Sequence, residues 1–122
     1  MASVRYIVDD VDAAVAFYTQ HLGFDVQMRP APTFAMLRRE DLVLLLSANE
    51  GPGGGAQDVG GRRPEPGGWN RFQLEVSGLE EKVEALRAAG VRLRGEPVTG
   101  VAARQVLVED PAGNPVELFE RM

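Results

Sequence analysis

One segment of this chain occurs twice, and the duplication constrains the fold more than any other feature of the sequence. Val8–Val15 (VDDVDAAV) runs in parallel with Val76–Val83 (VSGLEEKV), and each copy continues to a glycine, Gly23 or Gly90. In both copies a stretch with period-2 alternation precedes a stretch with helical spacing. The sequence therefore predicts two copies of one supersecondary unit.

Each copy shows the local signals of a strand followed by a helix. Residues 3–8 (SVRYIV) and 71–76 (RFQLEV) alternate as strands do. In the first copy Asp10 is a suitable N-cap, and Gly23 is suited to end the helix in the left-handed region. In the second copy Leu79, Val83 and Leu86 form an apolar helical stripe that ends before Gly90.

Strand-forming sequence follows each predicted helix, so each copy reads βαβββ and the fold class is α+β. A chain of 122 residues fits one domain, here with module one at 1–50, a linker at 51–68 and module two at 69–122. The strands predicted after the helices are 24–28, 34–37 and 42–48 in module one, and 91–94, 105–108 and 116–119 in module two.

Two segments outside the predicted helices are rich in turn residues. Residues 51–68 (GPGGGAQDVGGRRPEPGG) are interpreted as a mobile connector, with a lid over a nearby pocket as the alternative. A phosphate-binding loop is excluded because no Gly-Lys-Ser/Thr follows. Residues 110–115 (DPAGNP) predict a tight turn, in which Gly113 or Asn114 accepts a positive φ.

Composition excludes several classes of function. The formal net charge of -5 disfavours nucleic acid and anionic lipid as partners. The absence of cysteine excludes disulfides, thiolate nucleophiles and metal–thiolate sites, and His21 is the only histidine. No apolar run approaches the length of a membrane span, and no signal pattern opens the chain. We therefore expect a soluble cytoplasmic protein.

Three stretches together resemble the vicinal oxygen chelate superfamily, the group of glyoxalases, bleomycin-resistance proteins and extradiol dioxygenases. They are VDDVDAAVAFYTQHLGF at 8–24, WNRFQLEVSGLEEKVEALRAAGV at 69–91 and EDPAGNPVELFE at 109–120. The resemblance implies paired βαβββ modules in a cupped mixed sheet, with helices outside and the binding or active site on the concave face. It also implies a homodimer, with modules paired within one chain or exchanged between chains.

The resemblance also allows the metal-ligand positions of the superfamily to be checked in this sequence. The histidine positions fall on Ser3 and Arg71, and one glutamate position falls on Leu45. Only the last glutamate is retained, as Glu117. One carboxylate beside a guanidinium does not provide the converging donors that a metal ion needs. We therefore expect no cofactor and disfavour a divalent metal.

An arginine at a ligand position predicts an ion pair in place of the metal. Arg71 and Glu117 are expected to form an Arg–carboxylate bridge, and breaking one half of such a buried pair would cost about 3–5 kcal/mol. Charged groups in the concavity need partners, so Arg5 and Glu75 are expected to pair with one another, with ligand or with water.

Strand parity predicts which side chains line the concave face. Trp69 is either a stacking surface or a space-filling hinge residue under the glycine-rich segment, and Phe34 lies at the rim or in the core. The mixture of apolar and convergent polar groups is typical of a small-molecule pocket. The candidate ligand-binding residues are Arg5, Ile7, Phe34, Leu45, Trp69, Arg71, Gln73, Glu75, Glu117 and Phe119.

Three functions remain open from the sequence. The first is metal-free binding of a small organic molecule, of resistance or sequestration type, with an aromatic or antibiotic-like ligand. The second is a glyoxalase-like lyase, isomerase or biosynthetic enzyme, in which Glu117 or Glu75 is the catalytic base, with or without a weak divalent metal. The third is a domain that acts mainly through protein contacts.

Overall fold

A computed structural model describes residues 1–122 and shows two compact units, Met1–Gly67 and Gly68–Met122. The first unit contains β1 (Val4–Val8), α1 (Val11–His21), β2 (Asp25–Ala31), β3 (Phe34–Arg39) and β4 (Leu42–Ala48). Its sheet has the order β1-β4-β3-β2, with β1 and β4 parallel and the other neighbours antiparallel. This is the predicted βαβββ arrangement.

The second unit repeats that topology. It contains β5 (Gln73–Glu75), α2 (Leu79–Ala88), β6 (Val98–Thr99), β7 (Ala103–Glu109) and β8 (Pro115–Arg121). Its sheet order is β5-β8-β7-β6, and only β5 and β8 are parallel. The predicted α+β fold class is therefore confirmed. Neither helix has the length and apolar character needed to cross a membrane.

Each unit has its own core, in which one helix packs against one face of its sheet. In the first unit Tyr6 and Val8 of β1 and Phe17 and Tyr18 of α1 are all buried, and α1 contacts β4, β3 and β2. The predicted cap is present, since Asp10 Oδ1 accepts the Ala13 N–H at 3.1 Å. In the second unit the core comes from α2 and the inner faces of its strands, as Leu79, Val83, Leu86, Leu74, Val106 and Leu118.

The prediction of a strand at 91–94 is wrong. The edge strand of this sheet is β6. Residues 91–94 make only isolated contacts with β7: Arg94 N donates to Leu107 O at 2.8 Å, and Leu93 forms an isolated bridge with Val108. Gly95 has a φ of 93°, and Pro97 lacks an amide donor. These two residues interrupt the edge, so the β6 ladder begins only at Val98.

Helix α2 is capped by a residue from another element. Its N-cap position is Gly78, which offers no side chain. The Glu120 carboxylate on β8 accepts the N–H groups of Gly78 at 2.7 Å and Leu79 at 3.0 Å. These two hydrogen bonds, first that from Leu79 and then that from Gly78, lower the pKa of Glu120. A strand residue thus satisfies the orphan donors of the helix.

The tight turn predicted at 110–115 is confirmed. Gly113 has the positive φ, 91°. Asp110 is buried and organises the turn, because Oδ1 accepts the N–H groups of Ala112 and Asn114 while Oδ2 accepts the Asn114 side-chain amide.

Most of the glycine-rich segment packs within the first unit. Thr33 Oγ1 donates to Pro52 O, and Asn49 Nδ2 donates to Pro64 O. Gly54 is buried so tightly that an added Cβ would lie 2.7 Å from Ala48 O. Residues 51–67 therefore belong to the first unit, and their action as a mobile connector or as a lid stays a prediction.

Candidate functional site

In each unit the sheet face opposite the helix is only partly covered; we call it the open face of that sheet. On the first sheet Arg5 lies beside Leu45, and Ser47 lies between Ile7 and Phe34. Arg5 is exposed, whereas Ile7, Leu45 and Phe34 are half-buried. The Arg5 guanidinium lies under the glycine-rich segment, 3.1 Å from where a Gly55 Cβ would be. The predicted side chains of module one thus share one face.

The open face of the second sheet carries the remaining predicted strand residues. Gln73 of β5 lies beside Glu117 of β8, which lies beside Leu107 of β7. One row along the same face, Glu75 lies beside Phe119. Glu117 is buried, Phe119 is half-buried, and Gln73 and Glu75 are exposed. This face therefore combines polar and apolar groups.

The predicted ion pair between Arg71 and Glu117 is present. Arg71 Nε and Nη2 each lie 3.0 Å from Glu117 Oε1, and Nη1 donates to Trp69 O at 3.3 Å. The Arg71 side chain is 27% exposed and that of Glu117 is 12% exposed. The pair is thus only partly removed from solvent.

Arg94 is a central residue of this region that the sequence analysis missed. Its Nε donates to Glu109 Oε2 at 2.9 Å, and its Nη1 and Nη2 donate to Gly68 O at 2.6 Å and Gly113 O at 3.0 Å. Its guanidinium carbon also lies 4.5 Å from the centroid of the Trp69 ring. Arg94 therefore joins the start of the second unit to the 110–115 turn. No local signal identifies it, because all of its partners are distant in sequence.

The Trp69 side chain lies at the surface. It is 66% exposed, with the Arg94 guanidinium on its ring. This arrangement favours the stacking interpretation over the space-filling one.

Glu75 pairs with a guanidinium of its own unit, and its expected pairing with Arg5, with ligand or with water stays a prediction. Its Oε2 accepts Arg121 Nε at 3.0 Å, and Arg121 also lies over the Phe119 ring with 5.9 Å to the centroid. Arg121 continues the β8 alternation that places Glu117 and Phe119 on the open face, so this ion pair joins β5 to β8 there.

The side chains do not form the metal site of the superfamily. No group of three or more His, Cys, Asp or Glu side chains is placed to hold a metal ion. At the retained position, Glu117 accepts two guanidinium donors from Arg71, which repels a cation. The donor set of this chain therefore does not fit a metal ion.

Comparisons with known proteins agree with this fold. The chain is 29% identical over 130 residues to a probable chloroplastic lactoylglutathione lyase of Arabidopsis thaliana, but it spans only 35% of that relative's length. A virulence protein from Salmonella typhimurium superposes with a TM-score of 0.77 at 19% identity, over 100% of this chain and 96% of the other.

A second solved structure and a family profile extend the comparison. A glyoxalase/bleomycin resistance protein/dioxygenase from Nocardioides superposes with a TM-score of 0.70 at 26% identity, over 100% of this chain and 83% of the other. The sequence profile of one superfamily matches residues 1–118. With both βαβββ units present, the chain belongs to the Glyoxalase/Bleomycin resistance protein/Dioxygenase superfamily.

Proposed function

We propose that this chain binds a small organic molecule, of antibiotic or metabolite type, without a metal ion, on the open face of the second sheet. The observation that carries the proposal is the Arg71–Glu117 pair, because a guanidinium holds the one carboxylate retained from the metal site. Binding therefore depends on side-chain contacts rather than on coordination.

The chemistry of the face supports this proposal. Phe119 and Leu107 offer half-buried apolar surface, and Gln73 offers an exposed amide close to the Arg71–Glu117 pair. Ligand sites typically combine apolar lining with a few convergent polar groups. Residues Arg5, Ile7, Phe34 and Leu45 provide a comparable set on the open face of the first unit and stay candidates for binding.

A ligand screen tests the proposal. Binding of each compound in a library of aromatic compounds and antibiotics is measured by thermal shift and by the fluorescence emission of Trp69, the only tryptophan. We expect at least one compound to bind with the same Kd before and after EDTA treatment. Phe119→Ala should weaken that binding several-fold, whereas the control Val26→Ala on the β2 edge should not. A protein that binds no compound, or binds only before EDTA treatment, contradicts the proposal.

A second candidate function is a lyase or isomerase reaction, as in the second sequence hypothesis. The observation that favours it is the similarity to a probable lactoylglutathione lyase. No protein donor contacts Oε2 of Glu117, so that oxygen is available to take a proton from a substrate. Glu75 is the alternative base. Turnover of the hemithioacetal of methylglyoxal and glutathione, lost in Glu117→Gln, would favour this candidate over simple binding.

Two further properties belong to the proposal. We propose a homodimer in the cytoplasm, with neither nucleic acid nor membrane as a partner, on the basis of the resemblance and the acidic charge. Light scattering coupled to size exclusion tests the dimer, which a monomer mass at micromolar concentration would contradict. Cell fractionation tests the location. Stable capture of a protein partner without any small-molecule binding would instead favour the interaction-domain hypothesis.

A further inference from the structure

The Trp69 ring and the Arg71 guanidinium lie at the same end of the second unit, and we propose that together they select a flat aromatic ligand that carries a carboxylate or a similar anionic group. This inference rests on the proposed function and specifies its ligand class. It depends on three observations: how the ring is held, which donors are free, and how the charges are shared.

The Trp69 ring is held in place but left uncovered. Arg94 contacts the ring with its guanidinium at 4.5 Å from the centroid and fixes the preceding carbonyl of Gly68. The residue is nevertheless 66% exposed. A ring held by a cation on one side and open on the other presents a fixed surface for stacking. The positive charge behind it also favours an anionic ligand.

Arg71 retains donor capacity beside that ring. A guanidinium has five N–H groups, and Arg71 makes three contacts, two with Glu117 and one with Trp69 O. The remaining N–H groups of Nη1 and Nη2 have no protein acceptor. Because the side chain is 27% exposed, a ligand carboxylate can reach them. A planar fork of this kind pairs with carboxylates in a bidentate manner.

The arginines of this end outnumber the carboxylates that pair with them. Arg92 and Arg94 share Glu109, at 3.9 and 2.9 Å, while Arg71 pairs with Glu117. Three guanidinium groups thus share two carboxylates, in a chain whose formal net charge is -5. The nearby Asp110 carboxylate is already occupied by the donors of its own turn, so the guanidinium groups keep N–H donors for an anion.

Arg94 is a positioning residue in this arrangement. It contacts Glu109 and two backbone carbonyls, so its guanidinium is oriented before any ligand arrives. We expect Arg94→Gln to increase the mobility of the Trp69 ring. The readout is the fluorescence anisotropy of the only tryptophan, which should fall in Arg94→Gln and stay unchanged in the exposed control Arg62→Gln.

The ligand class is tested with matched probes. Naphthalene carboxylate, the neutral naphthalene carboxamide and the non-aromatic cyclohexane carboxylate are titrated into the full chain by calorimetry at low salt. The carboxylate probe should bind roughly tenfold more tightly than the carboxamide, and the non-aromatic acid should bind more weakly than the aromatic acid. Binding of the aromatic acid should weaken as salt is added.

Variants connect the selectivity to the two residues. Trp69→Leu, at an exposed position, should reduce the preference for the aromatic acid, and Arg71→Lys should reduce the preference for the acid over the amide. Arg62→Gln should change neither. Equal binding of acid and amide, or no binding of the acid, overturns the inference. If neutral library compounds still bind, the proposed function stands; if no compound binds, both fail.

Discussion

Removing Arg71 alone should destabilise the protein more than replacing both members of its ion pair. In Arg71→Ala the carboxylate of Glu117 is left without a partner at a position that is 9% exposed. In the double variant Arg71→Met with Glu117→Leu, no charge remains and apolar groups fill the volume. A buried charge without its partner costs free energy, whereas a buried pair replaced by apolar residues often costs little.

The exposed fractions of the two side chains set the magnitude. Breaking a fully buried pair costs about 3–5 kcal/mol, whereas an exposed pair contributes about 0–1 kcal/mol. With 27% of the Arg71 side chain and 12% of the Glu117 side chain exposed, solvent screening reduces the sequence-based expectation. We expect Arg71→Ala to lower the free energy of unfolding by about 2 kcal/mol, and the double variant to lower it by less than about 1 kcal/mol.

The assay is urea unfolding followed by far-ultraviolet circular dichroism, because Trp69 fluorescence would report the altered site itself. If the free energy of unfolding falls with urea concentration at the same slope in all variants, their unfolding midpoints can be compared directly. Equal losses in the single and double variants would refute the reasoning, since they would mean that the carboxylate does not depend on the guanidinium.

Three further substitutions test other contacts. Glu120→Gln should lower the Tm at neutral pH, and Glu65→Gln, an exposed control, should not. Because the folded pKa of Glu120 lies below its ordinary value of 4.5, the loss of Tm in Glu120→Gln is fully present above pH 4.5 and fades as the pH falls through the folded pKa. A pH series of melting curves measures this dependence. Asp110→Ala should cost about 3 kcal/mol by urea unfolding, because buried backbone donors of the turn lose their acceptor; an unchanged midpoint contradicts this. Gly54→Ala should cost more than about 1 kcal/mol in the same assay, because its Cβ would clash with two backbone oxygens, whereas Gly100→Ala should cost less.

Much of the fold was predictable because its signals are local. Asp10 and Gly23 mark the two ends of α1, and the apolar stripe marks the buried face of α2. The end of α2 near Gly78 gives no such signal, since its cap is Glu120, a strand residue far along the chain. The strand predicted at 91–94 was also wrong, because an edge segment has only one neighbour to impose its pairing and the edge strand begins at Val98.

The candidate site also contains contacts that could be predicted from the sequence and contacts that could not. The pairing of Arg71 with Glu117 was expected from the resemblance, because both residues fall on metal-ligand positions of the superfamily. The role of Arg94 did not follow, because its contacts with Gly68 and Glu109 exist only after folding. The pair of Glu75 with Arg121 was not expected, because Arg121 lies at the end of β8, beyond the strand predicted at 116–119.

The most direct test of the central claim is the metal content of the protein. The chain is expressed with nickel, zinc, iron and manganese in the medium, purified without chelator and measured by elemental analysis. If a guanidinium takes the place of the metal at Glu117, every element will be far below one ion per chain. One ion per chain that disappears in Glu117→Ala would contradict the account.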